Sequence, residues 1–149
     1  MVLESPGSGI DFILLADDDQ DDVFLFEESV RLLKQAPTVV VATDGVSALE
    51  KLALSPLPVL IFLDINMPRM NGLECFSRIR MDARIAGVPV LFLSTSSNQH
   101  FVDEAKRLGA RGYIQKPSSF IELHQIIAEV ISRECNRLHQ TTFYTYINQ

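Results

Sequence analysis

Five short apolar runs punctuate the chain: Phe12 to Ala16, Val39 to Ala42, Val59 to Leu63, Val90 to Leu93 and the weaker Gly112 to Gln115. The first four are continuous rather than alternating, the pattern of strands buried on both faces of a parallel sheet. Between the runs the apolar spacing changes to three and four residues. Val23, Phe26, Val30 and Leu33 make one stripe, Leu73, Phe76 and Ile79 a second, Phe101, Ala105 and Leu108 a third, and Leu123, Ile127 and Val130 a fourth. Each is the buried side of an amphipathic helix, and each reads as core packing rather than a cofactor surface. A shorter helix over Val46 to Leu54 follows the Asp44-Gly45 turn, where Asp44 is placed to cap it. Strand and helix alternate throughout. That predicts an α/β fold, a parallel sheet with helices on both faces joined by right-handed crossovers.

Composition narrows this to one domain. With 149 residues, 47% of them apolar, the chain is long enough for a core and shows no sign of a second one. Residues 1–9 are polar and rich in Gly, Ser and Pro, without the charged and apolar regions of a secretion signal, and read as a loose tail. The expected division is a tail at 1–9, a domain at 10–135 and an extension at 136–149. No apolar run is long enough to span a bilayer, so a soluble cytoplasmic protein is expected. The net charge of −6 and the scattered basic residues argue against a nucleic-acid surface. Cys75 and Cys135 lack metal-type spacing and read as reduced thiols.

The chemistry gathers at strand ends. Residues 17–22 read Asp-Asp-Asp-Gln-Asp-Asp directly after the first run, with no basic residue among them. Two carboxylates about 4 Å apart repel by about 1 kcal/mol in bulk water and about 4 kcal/mol near a protein surface, so the cluster invites a cation. A hard divalent ion such as Mg²⁺ suits oxygen ligands; the plainer reading is a solvated turn that caps a helix. In a parallel α/β sheet, ligands bind at the carboxyl ends of the strands. Strand one delivers Asp17 and Asp18, strand three Asp64, strand four Ser94 and strand five Lys116. Singly, these could be a turn, the start of a polar loop and an exposed lysine. Together they form a site.

Those residues resemble the receiver domain of two-component response regulators. The resemblance runs from about Ile10 to about Arg133 and rests on the acidic cluster, on Leu-Asp-Ile-Asn-Met-Pro-Arg-Met-Asn-Gly at 63–72, on Ser94, and on Gly-Ala-Arg-Gly-Tyr-Ile-Gln-Lys-Pro at 109–117. It implies a flavodoxin-like (βα)5 doubly wound sheet with strand order 2-1-3-4-5. By resemblance, Asp64 accepts a phosphoryl group from a sensor histidine kinase or phosphotransfer protein. Asp18, Asp64 and the Asn66 carbonyl would hold Mg²⁺, with Asp17 acting through water. Lys116 would pair with phosphoryl oxygens, and Ser94 would hydrogen-bond the phosphate. Tyr113 would turn inward as the switch, and Lys116-Pro117 is expected to be cis. The segment from Arg80 to Gly87 is expected to be a long loop before strand four, as in some stand-alone receivers.

Ser94 stands where Thr is commoner, and Asp19 leaves the acid register ambiguous by one residue; Asp17 and Asp18 are favoured because they follow the apolar run immediately. The acceptor would catalyse only its own phosphorylation and dephosphorylation, and would signal through an unknown protein target. A Mg²⁺-dependent phosphohydrolase using an aspartyl phosphate is the alternative, but it expects an acid two residues after the nucleophile, where Asn66 stands. A flavodoxin-like nucleotide binder would need a Gly- or Thr-rich loop after strand one. A receiver-shaped scaffold would have no need of the full site. The extension carries Phe143, Tyr144, Tyr146 and Ile147. It is expected to be an arm packed on its own domain or on a second copy, a possible homodimer, rather than an output domain.

Overall fold

The computed structural model describes residues 11–135 and 142–148; the tail at 1–9 and the first part of the extension lie outside the described residues. The elements are β1 (Phe12–Ala16), α1 (Gln20–Arg31), β2 (Thr38–Ala42), α2 (Gly45–Leu52), β3 (Leu60–Leu63), α3 (Gly72–Met81), β4 (Val90–Ser94), α4 (Gln99–Arg107), β5 (Gly112–Gln115), α5 (Phe120–Cys135) and β6 (Tyr144–Tyr146). Among the described residues the strands form one parallel sheet of order β2-β1-β3-β4-β5-β6.

The continuous apolar runs are buried on both sides because each strand feeds two cores. Leu14, Ala16, Ile61, Leu63, Phe92 and Tyr113 point to one face, under α2, α3 and α4. Their sequence neighbours Ile13, Leu15, Leu60, Phe62, Leu91, Leu93 and Ile114 point to the other, under Phe26 and Val30 of α1 and Leu123, Ile127 and Val130 of α5. Alternate residues of a strand face opposite ways, so a run without polar interruption fits only a sheet covered twice.

Helix starts are set by side chains that accept orphan amides. Asp44 caps α2 as expected, accepting from the Ser47 amide at 2.7 Å, and Asn71 and Asn98 do the same for α3 and α4. Asp19 caps α1, accepting from the amides of Asp21 and Asp22. Asp19 thus works as a helix cap, immediately after Asp17 and Asp18.

The structure departs from the expectations in three places. Arg80 and Met81 are the last turn of α3 rather than loop, because Ile79 is fully buried and keeps the helix against the core; the connection to β4 is residues 82–89. The Lys116-Pro117 bond is trans; the cis bond among the described residues is Ser55-Pro56. A sixth strand extends the sheet beyond the five expected. β6 pairs with β5 in parallel, Tyr113 opposite Thr145. It comes close because residue 112 is glycine, where a Cβ would lie 2.6 Å from the Tyr144 carbonyl oxygen. Tyr144 and Tyr146 pack on the α5 side, Phe143 and Ile147 on the other. The aromatic arm lies on its own domain.

Candidate functional site

Register brings the site residues together. Ala16 is opposite Leu63 across β1 and β3, so Asp17 and Asp64 leave the sheet side by side; Ser94 is opposite Gln115 across β4 and β5, so Lys116 follows at the same edge. The ladder continues one step past the strands. The Asp64 amide donates to the Ala16 carbonyl at 2.9 Å and the Lys116 amide to the Ser94 carbonyl at 2.7 Å. Behind Asp64, α3 begins at Gly72, whose amide donates to the Ile65 carbonyl. A Cβ there would sit 2.0 Å from the Asp64 carbonyl oxygen, so only glycine lets the helix start this close to the site.

Asp17 and Asp64 are buried and Asp18 is exposed. The Lys116 ammonium reaches across from β5 and lies 2.8 Å from Asp17 Oδ2, 2.8 Å from Asp22 Oδ2 and 3.1 Å from Asp64 Oδ2. Asp17 Oδ1 accepts from the Asp19 amide, and Asp64 Oδ1 from the Asn66 amide at 3.4 Å. Burial pushes the Asp17 carboxyl up to about 6, against the opposing pull of its hydrogen bonds from Lys116 and Asp19. Burial alone would lower the Lys116 ammonium. Its bonds to Asp17 and Asp22 and the charge of Asp64 outweigh that and hold it above the usual lysine range. The three carboxylates therefore favour the charged ammonium at Lys116.

Carboxylate oxygens of Asp17, Asp18 and Asp64 lie within 4.8 Å of one another. An all-oxygen set with one exposed member fits a small hard cation that keeps waters in its open positions. Asn66 is exposed on the loop after Asp64. Ser94 is fully buried, and its hydroxyl accepts from the Ser96 amide at 3.3 Å.

The Tyr113 ring is inside, fully buried and stacked on Phe92, with its hydroxyl donating to the Ser96 carbonyl at 2.7 Å. Burial raises the phenol, so it stays a donor. Phe143 and Ile147, on either side of β6, pack on the same core cluster as Tyr113.

Two contributors were not foreseen. Asp22 joins Lys116 from the first turn of α1, one of several acids whose individual roles spacing alone did not separate. Arg69, in the loop between β3 and α3, makes a two-pronged ion pair with Asp44, Nε to Oδ2 at 2.8 Å and Nη2 to Oδ1 at 3.1 Å.

The sheet order, the acid cluster and the lysine together define a class. Residues 13–128 match the response regulator receiver domain, and the chain belongs to that family. Its fold is the flavodoxin-like receiver fold with one added strand, and its role is that of a phosphoacceptor in two-component signalling. The crystal structure of the phosphorylated cyanobacterial phytochrome response regulator RcpA is similar at a TM-score of 0.80 and 28% identity, covering 89% of this chain and 99% of that one. The Mn²⁺-bound form of response regulator Rcp1 is similar at a TM-score of 0.78 and 25% identity, covering 89% and 99%. The transcriptional regulatory protein CrdR of Helicobacter pylori is 32% identical over 126 residues, 83% of this chain and 58% of that protein. No helix among the described residues is long and apolar enough to cross a membrane.

Proposed function

We propose that Asp64 is the phosphoacceptor, taking its phosphoryl group from a phosphohistidine on a sensor kinase or phosphotransfer protein. The carrying observation is a buried Asp64 whose carboxylate touches Lys116 and shares a 4.8 Å cluster with Asp17 and Asp18. An Asp64 oxygen attacks phosphorus while the P–N bond to imidazole breaks, and the imidazole leaves with the bonding electrons. Lys116, already ionised and buried, meets the charge on the phosphoryl oxygens. The Ser94 hydroxyl hydrogen-bonds the phosphate once it is attached, exchanging its bond from the Ser96 amide for one it donates.

The resident metal of this reading is Mg²⁺, held by the carboxylates of Asp18 and Asp64 and the Asn66 carbonyl. Asp17, beside them in the same cluster, would act through a water. The ion supplies charge neutralisation where acid meets phosphate. The Mn²⁺-bound Rcp1 structure supports a divalent ion in such a site. The chain acts in the cytoplasm, transfers nothing onward catalytically, and signals by protein contact. A second copy is one partner it would take, since β6 is the outer strand of the sheet among the described residues. A phosphohydrolase would need an acid where Asn66 stands.

The test is intact-mass spectrometry after incubation with acetyl phosphate and Mg²⁺. One added phosphoryl group is expected, absent in Asp64→Asn and absent with chelator. Equal labelling of both proteins would overturn the assignment.

A further inference from the structure

Lys116 carries three N–H bonds, and all three are taken by carboxylates. Two of these acceptors have other work. Asp17 belongs to the acid cluster, and Asp64 loses its carboxylate charge when it is phosphorylated. Asp22 has neither task. It stands on α1, five residues past Asp17, with its side chain 31% exposed, yet it binds the ammonium as closely as Asp17 does, at 2.8 Å. Its backbone is fixed by the Asp19 cap, so the carboxylate is held towards the lysine by the first turn of the helix.

We propose that Asp22 is a positioning residue that restrains phosphorylation by holding Lys116 back from the incoming phosphoryl group; this rests on the reading of Asp64 as phosphoacceptor. A donor arrives as an anion at a place where three carboxylates, Asp17, Asp22 and Asp64, contact one ammonium and a fourth, Asp18, lies beside Asp17 and Asp64. Asp22 adds repulsion and also occupies a hydrogen bond that the phosphoryl oxygens need. Lys116 engages the donor only by giving up one of its present partners. Removing Asp22 frees that bond and one negative charge together.

The experiment measures the rate of phosphorylation by acetyl phosphate at saturating Mg²⁺ for wild type, Asp22→Asn, Asp22→Glu, Lys116→Ala and the double variant Asp22→Asn with Lys116→Ala. Circular dichroism checks that each is folded. Asp22→Asn is expected to react about 3- to 10-fold faster, Asp22→Glu at close to the wild-type rate, and the double variant no faster than Lys116→Ala. Beryllofluoride affinity, read by thermal shift with Mg²⁺, repeats the comparison where Lys116→Ala reacts too slowly to follow: tighter binding is expected in Asp22→Asn and no gain in the double variant. An unchanged or slower Asp22→Asn overturns the proposal, and so does an equal gain without Lys116, which would leave Asp22 acting on the donor directly. A wild type that takes no phosphate at all would instead sink the reading of Asp64.

Discussion

The Tyr144 hydroxyl donates to Glu134 Oε2 at 2.8 Å, across the seam between the last strand and the last helix. Glu134 is 4% exposed, Arg111 Nη1 lies 3.3 Å from its other oxygen, and the Arg133 guanidinium sits 4.1 Å from the centre of the Tyr144 ring. Burial and the neighbouring carboxylate both hold the phenol above its ordinary range, so it remains a donor at any working pH. Tyr144→Phe removes that bond and leaves a buried carboxylate oxygen short of a partner. A loss of about 1 to 3 kcal/mol is expected in urea unfolding. An unchanged midpoint would show that water takes the place of the hydroxyl.

The same seam shows where the sequence was readable and where it was not. The β1 to β4 runs could be read because burial on two faces leaves no polar interruption, and periodicity alone placed Phe26, Ile79 and Ile127 in the core. The strand order could not be read that way; it came from the resemblance. β6 has only three residues, one of them exposed, and its partner lies 32 residues upstream, so no local pattern distinguishes it from a loop. At the site, residue type was enough to gather Asp17, Asp18, Asp64 and Lys116 at one edge. It was not enough to assign Asp22, because the direction of a side chain on the first turn of a helix depends on the cap, and Asp19 could cap or coordinate equally well on paper.

Gly72→Ala tests how closely α3 must approach the site. The added Cβ would lie 2.0 Å from the Asp64 carbonyl oxygen and 3.1 Å from the Ile65 Cα, both backbone atoms that a rotamer change does not move. The helix start or the acceptor loop must shift. A destabilisation of about 3 kcal/mol is expected, with weaker Mg²⁺ binding by calorimetry in whatever fraction stays folded. Wild-type metal affinity in a stable Gly72→Ala protein would contradict this packing.

Lys116→Met tests the counter-ion. The side chain is 10% exposed, and its loss leaves Asp17 and Asp64 buried with no cation beside them. Breaking a buried pair by removing one partner costs about 3 to 5 kcal/mol. In metal-free buffer at pH 7 the variant is expected to melt well below wild type, and Mg²⁺ should recover more stability for it than for wild type. Parallel melting curves with and without Mg²⁺ would show that the lysine carries no such load.

Arg69 occupies a left-handed backbone conformation, φ 64°, that costs an ordinary residue about 1 kcal/mol. Its guanidinium pairs with Asp44 through two hydrogen bonds. The hydrogen bond from Arg69, joined by the Ser47 amide, lowers the Asp44 carboxyl below its usual range. A carboxylate lowered by folding contributes stability that is present above its unfolded pKa, near 4, and is lost as pH falls through the lower folded value. Arg69→Ala is therefore expected to lower the melting temperature at pH 7 and to make less difference at pH 2. Arg69→Gly should lose less, because glycine accepts the positive φ freely. A gap between wild type and Arg69→Ala that is as large at pH 2 as at pH 7 would remove Asp44 from the account.

Cys75 is fully buried under α3, and its thiol lies 3.7 Å from the Gly45 carbonyl oxygen. Burial is the main cause that pushes it up to about 12. At pH 8 very little of it would then carry the reactive thiolate, even before access is considered. Cys135 is exposed at the end of α5. One equivalent of iodoacetamide is therefore expected to react with the native protein, at Cys135, and a second only after denaturation. The rate of the second reaction in mild urea then reports the opening of α3 away from the Asp64 loop. Because Gly72 ties that helix to the acceptor loop, bound Mg²⁺ is expected to slow the labelling of Cys75. Labelling at equal rates with and without the ion would mean that the helix opens independently of the site.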